Sequence, residues 1–292
     1  MEERIELEAH AKINLALDVI GERPNGYHDL KMIMQIIKLC DRVTVERTEG
    51  DGVSLTGNLS WLPCGKGNLA YDAAVLFMER TGIRAGVSIY LEKHIPVAAG
   101  LAGGSTDAAA VLRGMNELFE TGLSEEALRE MGLSLGADVP YCIMGGTALA
   151  EGIGEQLTKL PNAPVFHVVL IKPEASASTK EIYGRLVLDG KTDHPDVDGM
   201  IRAIEAGDYL GVSTRLGNVL EPVTRELCPE IVKIEQAMKS FGAEGTLMSG
   251  SGPSVFGLFT DSARATAAFM HFRVAGYRQA FLTEFTEQAP GH

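Results

Sequence analysis

The sequence predicts an α+β fold with two sheet-containing domains. Strand patterns cluster in the first third of the 292 residues, helical patterns dominate from about residue 199 to residue 241, and further strands follow. The order is neither a regular alternation of strand and helix nor a run of one type, which indicates two separate sheets with packed helices. The length fits two domains of about 100–200 residues each.

Each predicted element follows from its spacing of apolar residues. Period-two alternation or a short apolar run predicts strands over residues 5–9, 13–20, 43–47, 53–56, 87–91 and 166–171. Later strands are expected over residues 147–157, as a pair around Gly152, and over 246–259 and 279–285. Helices are predicted over residues 68–80, 107–118, 124–135, 179–186 and 262–274. Two prolines within residues 158–164 set the predicted domains at residues 1–162 and 163–292.

Composition excludes several classes of protein. The formal net charge of −13 argues against a nucleic-acid partner, which requires a basic face. The first residues lack a basic start followed by an apolar stretch, and no apolar run approaches the roughly 20 residues that span a bilayer, so we expect a cytoplasmic protein. The four cysteines, Cys40, Cys64, Cys142 and Cys228, form no C-x-x-C pair, and we expect reduced thiols and no metal site.

The densest loop signal in the chain is PVAAGLAGGST at residues 96–106, directly before an alanine-rich helix. Glycines allow close approach of the backbone to a bulky anion. The first amides of the helix have no partner within it, and the helix dipole favours negative charge there. Together these features indicate a phosphate site, although a tight turn with a Ser or Thr cap fits the same residues.

Two other nucleotide motifs are excluded by spacing. Gly190, Lys191 and Thr192 resemble the end of a Walker loop, but the earlier glycine position holds Arg185. The dinucleotide fingerprint G-x-G-x-x-G does not occur, which argues against a dinucleotide-dependent oxidoreductase.

Three motifs in order resemble the GHMP kinase superfamily. They are AKINL at residues 11–15, the glycine segment from residue 96, and LMSGSGPSVF at residues 247–256. The resemblance implies a two-domain GHMP kinase fold, with a mixed or antiparallel sheet and packed helices in each domain and the active site in the cleft between them. It also implies ATP as co-substrate, with Mg²⁺.

Further motifs resemble one branch of this superfamily. They are RPNGYHDL at residues 23–30, GADVPY at 136–141 and AEGIGE at 150–155. The branch phosphorylates the 2-hydroxyl of a cytidine-diphosphate-linked methylerythritol in non-mevalonate isoprenoid biosynthesis. A sister kinase acting on homoserine, mevalonate or a sugar remains an alternative, as does a non-catalytic ATP-binding regulator. We expect small-molecule partners only, and a monomer or homodimer.

Lys12 and Asp138 are the predicted catalytic residues. Asp138 is expected to accept the proton of the acceptor hydroxyl, and Lys12 to keep that aspartate ionised and to balance phosphoryl charge. Structural readings also fit, since Asp138 precedes Pro140 and could cap a short helix, while Lys12 could lie solvated at a strand end. The resemblance favours the catalytic roles.

The resemblance also implies the binding residues. For ATP they are Asn68 and Lys93 beside the nucleotide, and the loop Pro96, Val97, Ala98, Ala99, Gly100, Leu101, Ala102, Gly103, Gly104, Ser105 and Thr106. For the acceptor they are Asn14, Tyr27, His28, Thr179, Tyr183, Gly250 and Ser251, with Tyr27 and His28 holding the cytosine ring. Ala102 stands where many relatives carry glycine, and alanine is expected to be tolerated there if its φ angle is negative.

Overall fold

The computed structural model describes residues 3–24, 26–175, 178–189 and 192–287. The strands are β1 Arg4–Glu22, β2 His28–Thr48, β3 Gly52–Gly57, β4 Gly86–Glu92, β5 Thr147–Gly152, β6 Gln156–Lys159, β7 His167–Ile171, β8 Gly217–Asn218, β9 Gly245–Met248, β10 Val255–Phe259 and β11 Ala280–Glu284. The helices are α1 Leu69–Thr81, α2 Gly103–Leu118, α3 Glu125–Leu133, α4 Val139–Met144, α5 Thr179–Arg185, α6 Val197–Glu205, α7 Tyr209–Thr214, α8 Glu221–Leu227, α9 Glu230–Ser240 and α10 Ser262–Val274.

Two sheets organise these elements, which confirms the predicted α+β class. The larger sheet has the order β3-β4-β2-β1-β8, with β5 paired to β2 and β6 to β5. The smaller sheet is antiparallel, in the order β11-β7-β10-β9. The domain boundary at residue 162 stays a prediction, and β8 joins the first sheet from well beyond it.

The two sheets share a hydrophobic core. Helices α1 to α4 pack over one face of the larger sheet. Its other face contributes Ile13 and Ile33 to a second cluster, in which Phe166 and Phe256 belong to the smaller sheet or its edge. A bridge between Ile37 and Phe285 adds a backbone link between the sheets. This shared core fixes the position of the smaller sheet relative to the larger one.

Strand β1 reverses its faces through two register shifts. Ile5, Leu7 and Ala9 pack under the helices, but the shift between His10 and Lys12 turns the next odd residues towards the second core. A second shift, between Asn14 and Ala16, restores the original faces. Such bulges re-aim side chains. They bring Lys12 and Asn14 to the face where α2 begins.

Most predicted elements are confirmed, with three differences. The two strands expected over residues 5–20 form the single strand β1. Strand β2 begins at His28, well before the predicted residue 43. Alternation does not reveal this part of the strand because residues 32–37 are buried on both faces. The two-residue strand β8 was not predicted. No helix of the described chain is long and apolar enough to cross a bilayer.

A buried acidic cluster lies at the end of strand β9, between helices α8 and α9. The Glu221 carboxylate accepts a hydrogen bond from the Met248 amide at 2.6 Å. Arg225 Nη2 lies 2.7 Å from Glu221 Oε1 and 2.5 Å from Glu235 Oε2. Burial, followed by the charge of Glu235, raises the pKa of Glu221 to about 7. The folded protein therefore holds a proton on this carboxyl that the unfolded chain releases at lower pH.

We expect this cluster to make stability depend on pH. Because the pKa of Glu221 is higher in the folded state, the stabilisation is fully present below about pH 4.5 and is lost as pH rises to about 7. Glu221→Gln fixes the neutral form. The variant should lose less free energy of unfolding than the wild type between about pH 5 and about pH 8, by on the order of 1–3 kcal/mol. Urea denaturation at several pH values measures this difference.

The matched control is Glu226→Gln, an exposed glutamate on the same helix. Its free energy of unfolding should follow the wild-type pH dependence. Parallel curves for wild type and Glu221→Gln would show that Glu221 does not carry the effect.

Candidate active site

The glycine-rich loop passes into α2 and lines a cleft of about 710 Å³. Helix α2 begins at Gly103, four residues before the predicted start at residue 107, so its first free amides belong to the glycines themselves. The loop is fixed from behind, because the Lys12 amide donates to the Leu101 carbonyl at 3.2 Å. An anion placed here faces backbone N–H groups and the positive end of a 16-residue helix.

The condition on which alanine was expected to be tolerated at residue 102, a negative φ angle, is not met. The φ angle of Ala102 is +58°, in the left-handed region, where a Cβ atom costs roughly 1–2 kcal/mol. Ala98 has a φ of +52° in the same loop. Alanine is therefore accommodated at Ala102 with backbone strain, which explains why glycine suits this position.

A second glycine loop, residues 249–252, docks directly on the first. Ser249 Oγ donates to the Gly100 carbonyl at 3.0 Å. Gly100 has a φ of +75°, and a Cβ atom there would lie 2.1 Å from the Ser249 carbonyl oxygen. Asn218 holds the second loop by donating to the carbonyls of Met248 and Gly250 at 2.9 and 2.8 Å. The two loops thus interlock, backbone against backbone.

Lys12 and Asp138 meet in the cleft. Lys12 is 5% exposed, and its Nζ lies 3.9 Å from Asp138 Oδ2 and 2.7 Å from Asn14 Oδ1. Asp138 occupies the N-cap position of α4, but its carboxylate makes no capping hydrogen bond. The carboxylate is 37% exposed and lines the cleft. A carboxylate at this place can orient a hydroxyl and accept its proton beside a cation.

Lys93 belongs to a buried ionic triad that the sequence did not reveal. Its Nζ contacts Asp41 Oδ2, lies 2.6 Å from Asp107 Oδ2 and donates to the Gly103 carbonyl at 3.3 Å. Asp41 also accepts the Ile95 amide at 2.8 Å. Burial raises the pKa of Asp107 to about 8, an effect that Lys93 opposes. The triad joins the start of the glycine loop to the start of α2.

Asn68 is likewise engaged within the protein. Its side-chain oxygen caps α1 by accepting the Ala70 amide at 3.0 Å, and its Nδ2 donates to the Pro63 carbonyl at 2.8 Å. Asn68 and Lys93 both line the cleft. The side-chain polar groups of both residues bond to other parts of the protein and thereby stabilise the walls of the cleft.

The predicted acceptor residues fall into two groups. Thr179 Oγ1 lies 2.8 Å from Ser251 Oγ, which joins α5 to the second glycine loop. The rings of His28 and Tyr183 lie 5.0 Å apart between centroids, at 42°. Tyr27 is 58% exposed and is absent from the cleft lining of the described residues. Asn25, in the motif at residues 23–30, lies outside the described residues.

The structure brings most predicted residues to one cleft. Those that line it are Lys12, Asn14, Asn68, Lys93, Pro96, Val97, Ala98, Ala99, Gly100, Ala102, Gly103, Gly104, Ser105, Asp138, Thr179, Tyr183, Gly250 and Ser251. Leu101 and Thr106 are buried behind the loop, and neither they nor His28 contribute to the described lining. Apolar residues that the sequence did not single out complete it, among them Leu62, Pro63, Leu91, Met32 and Ile153.

Sequence comparison identifies both halves of this arrangement. The family described as GHMP kinases N terminal domain matches residues 68–146, and the family described as GHMP kinases C terminal matches residues 200–273. The fold and the interlocked loops therefore define a small-molecule kinase of the GHMP class.

Individual relatives indicate which branch of the GHMP kinases this chain resembles. A 4-diphosphocytidyl-2-C-methyl-D-erythritol kinase of Lachnoclostridium phytofermentans is 53% identical over 284 residues, which cover 97% of this chain and 98% of that protein. A crystal structure of 4-(cytidine 5'-diphospho)-2C-methyl-D-erythritol kinase matches with a TM-score of 0.84 and 33% identity, covering 97% of this chain and all of the other. The chain belongs to the family of 4-diphosphocytidyl-2-C-methyl-D-erythritol kinases.

A more distant structure shares the fold. A homoserine kinase from Cytophaga hutchinsonii matches with a TM-score of 0.80 at 21% identity, covering all of this chain and 98% of that one. The predicted resemblance to this superfamily, and to the branch with the cytidylyl acceptor, is confirmed.

The interlock of the two loops predicts a large effect of one methyl group. Gly100→Ala combines a left-handed φ with a clash against the Ser249 carbonyl oxygen. We expect a loss of about 2–5 kcal/mol in the free energy of unfolding, from the strain and the overpacking together. ATP affinity should fall at least about tenfold, because 1.4 kcal/mol of loop displacement suffices for that change. Urea denaturation and calorimetric titration with ATP measure the two effects.

Gly82→Ala is the matched control. Gly82 has a φ of +72°, but a Cβ atom there meets nothing within 4 Å. It should cost only the backbone term of roughly 1–2 kcal/mol and leave ATP affinity unchanged. If both variants behave alike, the contact between the loops does not constrain the site.

Proposed function

We propose that the chain transfers the γ-phosphoryl group of ATP to the 2-hydroxyl of 4-diphosphocytidyl-2-C-methyl-D-erythritol, giving the 2-phosphate and ADP. The names of the relatives supply the substrate. The resemblance of the motifs implies that the step belongs to non-mevalonate isoprenoid precursor biosynthesis. The observation that carries the proposal is the pair Lys12 and Asp138, 3.9 Å apart, in a cleft between a phosphate-binding loop and an aromatic wall. We place the reaction in the cytoplasm.

Asp138 acts as the base in this proposal. Its carboxylate faces the cleft and is not used for capping, so it can accept the proton of the acceptor hydroxyl as the oxygen attacks phosphorus. Lys12 neutralises charge that develops on the transferring phosphoryl group. Asn14 holds the Lys12 ammonium at 2.7 Å and thereby fixes its direction.

ATP fits the cleft with its phosphates at the start of α2. The amides of Gly103, Gly104 and Ser105 supply the phosphate donors. The adenine and ribose lie beside Asn68 and Lys93, where Leu62, Pro63 and Leu91 provide an apolar surface for a planar ring. Lys93 acts mainly through its two carboxylate partners, as a support for the loop.

Mg²⁺ is expected to arrive with the nucleotide. It retains several waters and binds phosphate oxygens, with few ligands from the protein. Ser105 offers a hydroxyl at the cleft surface, whereas the Thr106 side chain is fully buried. The donor set therefore fits a nucleotide-bound magnesium ion.

The acceptor occupies the opposite end of the cleft. Tyr183, supported by His28, forms an aromatic wall for the cytosine ring, and stacking on such a wall contributes about 1–3 kcal/mol per base. Thr179, Gly250 and Ser251 line the path of the diphosphate, and Asn14 lies at the polyol beside Lys12. Tyr27 is exposed at the rim, and its contact with the pyrimidine stays a prediction.

An acceptor panel tests the proposal. Release of ADP is measured with MgATP and, in turn, the cytidylyl methylerythritol, homoserine, mevalonate and galactose. We expect turnover with the cytidylyl compound alone. With that acceptor, Asp138→Asn should lower kcat by roughly 10²–10⁴-fold, the usual contribution of a positioned base, while ATP still binds.

Asp261→Asn is the control for the charge change, because Asp261 is also an N-cap residue but caps α10 with its side chain and does not contribute to the described cleft lining. It should keep wild-type turnover. Activity on another acceptor would retain the kinase class and refute the pyrimidine pocket. ATP binding without turnover on any acceptor would indicate a regulator, and normal turnover of Asp138→Asn would exclude Asp138 as the base.

A further inference from the structure

Three potential metal ligands meet on strands β1 and β2, on the face opposite α2. His10 and Cys40 are cross-strand partners, and Glu8 precedes His10 by two residues on the same face of β1. One ligand atom from each of the three side chains lies within 4.8 Å of the other two. The sequence separates Cys40 from His10 by 30 positions, which is why cysteine spacing gave no sign of the cluster.

His10 is the central member of the cluster. It is 4% exposed, and its Nε2 lies 3.5 Å from Glu8 Oε2. Its Nδ1 is buried and makes no hydrogen bond within the described chain. The other ring nitrogen, Nε2, lies beside the Glu8 carboxylate, where it can serve as the nitrogen donor for an ion.

We propose that Glu8, His10 and Cys40 form a binding site for Zn²⁺. Sulfur, nitrogen and oxygen are the three donor types that zinc takes from proteins, at distances of about 2.0–2.3 Å. The three donor atoms lie within 4.8 Å of one another. Small side-chain rotations can therefore bring each donor to its coordination distance from one shared ion. Three protein ligands leave a fourth tetrahedral position for water. A thiol and an imidazole disfavour Mg²⁺ and Ca²⁺, which prefer oxygen ligands.

The site is distinct from the cleft but lies next to two of its supports. None of the three residues contributes to the described cleft lining. His10 begins the register shift that turns Lys12 into the cleft, and Cys40 adjoins Asp41 of the ionic triad. An ion joining β1 to β2 here fixes their register at the place where the active site depends on it. Zinc should therefore raise thermal stability whether or not ATP is bound.

Cobalt substitution tests the proposal directly. Tag-free wild-type protein is titrated with Co²⁺ alone and monitored by absorption. We expect saturation at one equivalent, with a sulfur-to-cobalt charge-transfer band and visible bands of tetrahedral intensity, and displacement by Zn²⁺. Cys40→Ser should abolish the charge-transfer band. His10→Ala and Glu8→Gln should each weaken Co²⁺ binding by at least about tenfold, the lower range for loss of a metal-supporting contact.

Matched controls separate this site from other thiols and imidazoles. Cys64→Ser removes an exposed cysteine, and His167→Ala removes a histidine whose Nδ1 lies 3.7 Å from Glu284. Both should retain the bands and the affinity. Absence of a charge-transfer band in the wild type, its survival in Cys40→Ser, or its loss in Cys64→Ser would each overturn the proposal.

The change in melting temperature on adding Zn²⁺ tests the proposal even if one of the variants does not fold. Zn²⁺ should raise the melting temperature of the wild type and of Cys64→Ser, because a ligand that binds only the folded state stabilises it. The same ion should not raise that of Cys40→Ser, whose serine replaces the thiol with a similar volume. An equal shift in Cys40→Ser would contradict the assignment even if His10→Ala does not fold.

Discussion

The direct contact between the two glycine loops is the constraint on which the rest of the structure depends. Gly100 and the loop at residues 249–252 approach so closely that no side chain fits between them, and the Ser249 hydroxyl bonds the Gly100 carbonyl. One loop precedes α2 on the larger sheet, and the other connects β9 to β10 in the smaller sheet. Their contact places the proposed phosphate site beside the larger sheet against the proposed acceptor residues of the second glycine loop.

The charges of the site follow from the same geometry. The register shifts of β1 turn Lys12 to the loop face, where its amide holds the Leu101 carbonyl and its ammonium approaches Asp138. The Lys93 ammonium, in contrast, forms ion pairs with two buried carboxylates. Breaking such a buried set by removing one partner typically costs about 3–5 kcal/mol, so this lysine fixes the loop more than it attracts phosphate. The two lysines therefore have different tasks.

Local patterns predicted much of the fold and of the cleft. Helices with clear caps, such as α3 after Ser124, follow from nearby residues, and the glycine loop follows from its composition. Strand β2 was missed in part because burial on both faces removes alternation. The φ of Ala102 and the partners of Lys93 could not be predicted, since both depend on contacts between residues distant in the chain. The meeting of His10 with Cys40 has the same cause.

Hydrogen exchange tests the coupling of the two loops most directly. Amide exchange is compared with and without a non-hydrolysable ATP analogue and Mg²⁺, in the absence of the acceptor. If the loops act as one unit, nucleotide binding should slow exchange over residues 100–106 and also over residues 249–252, although in the proposed function ATP contacts chiefly the first segment. Protection confined to residues 100–106, with unchanged exchange at Gly250 and Ser251, would contradict the account.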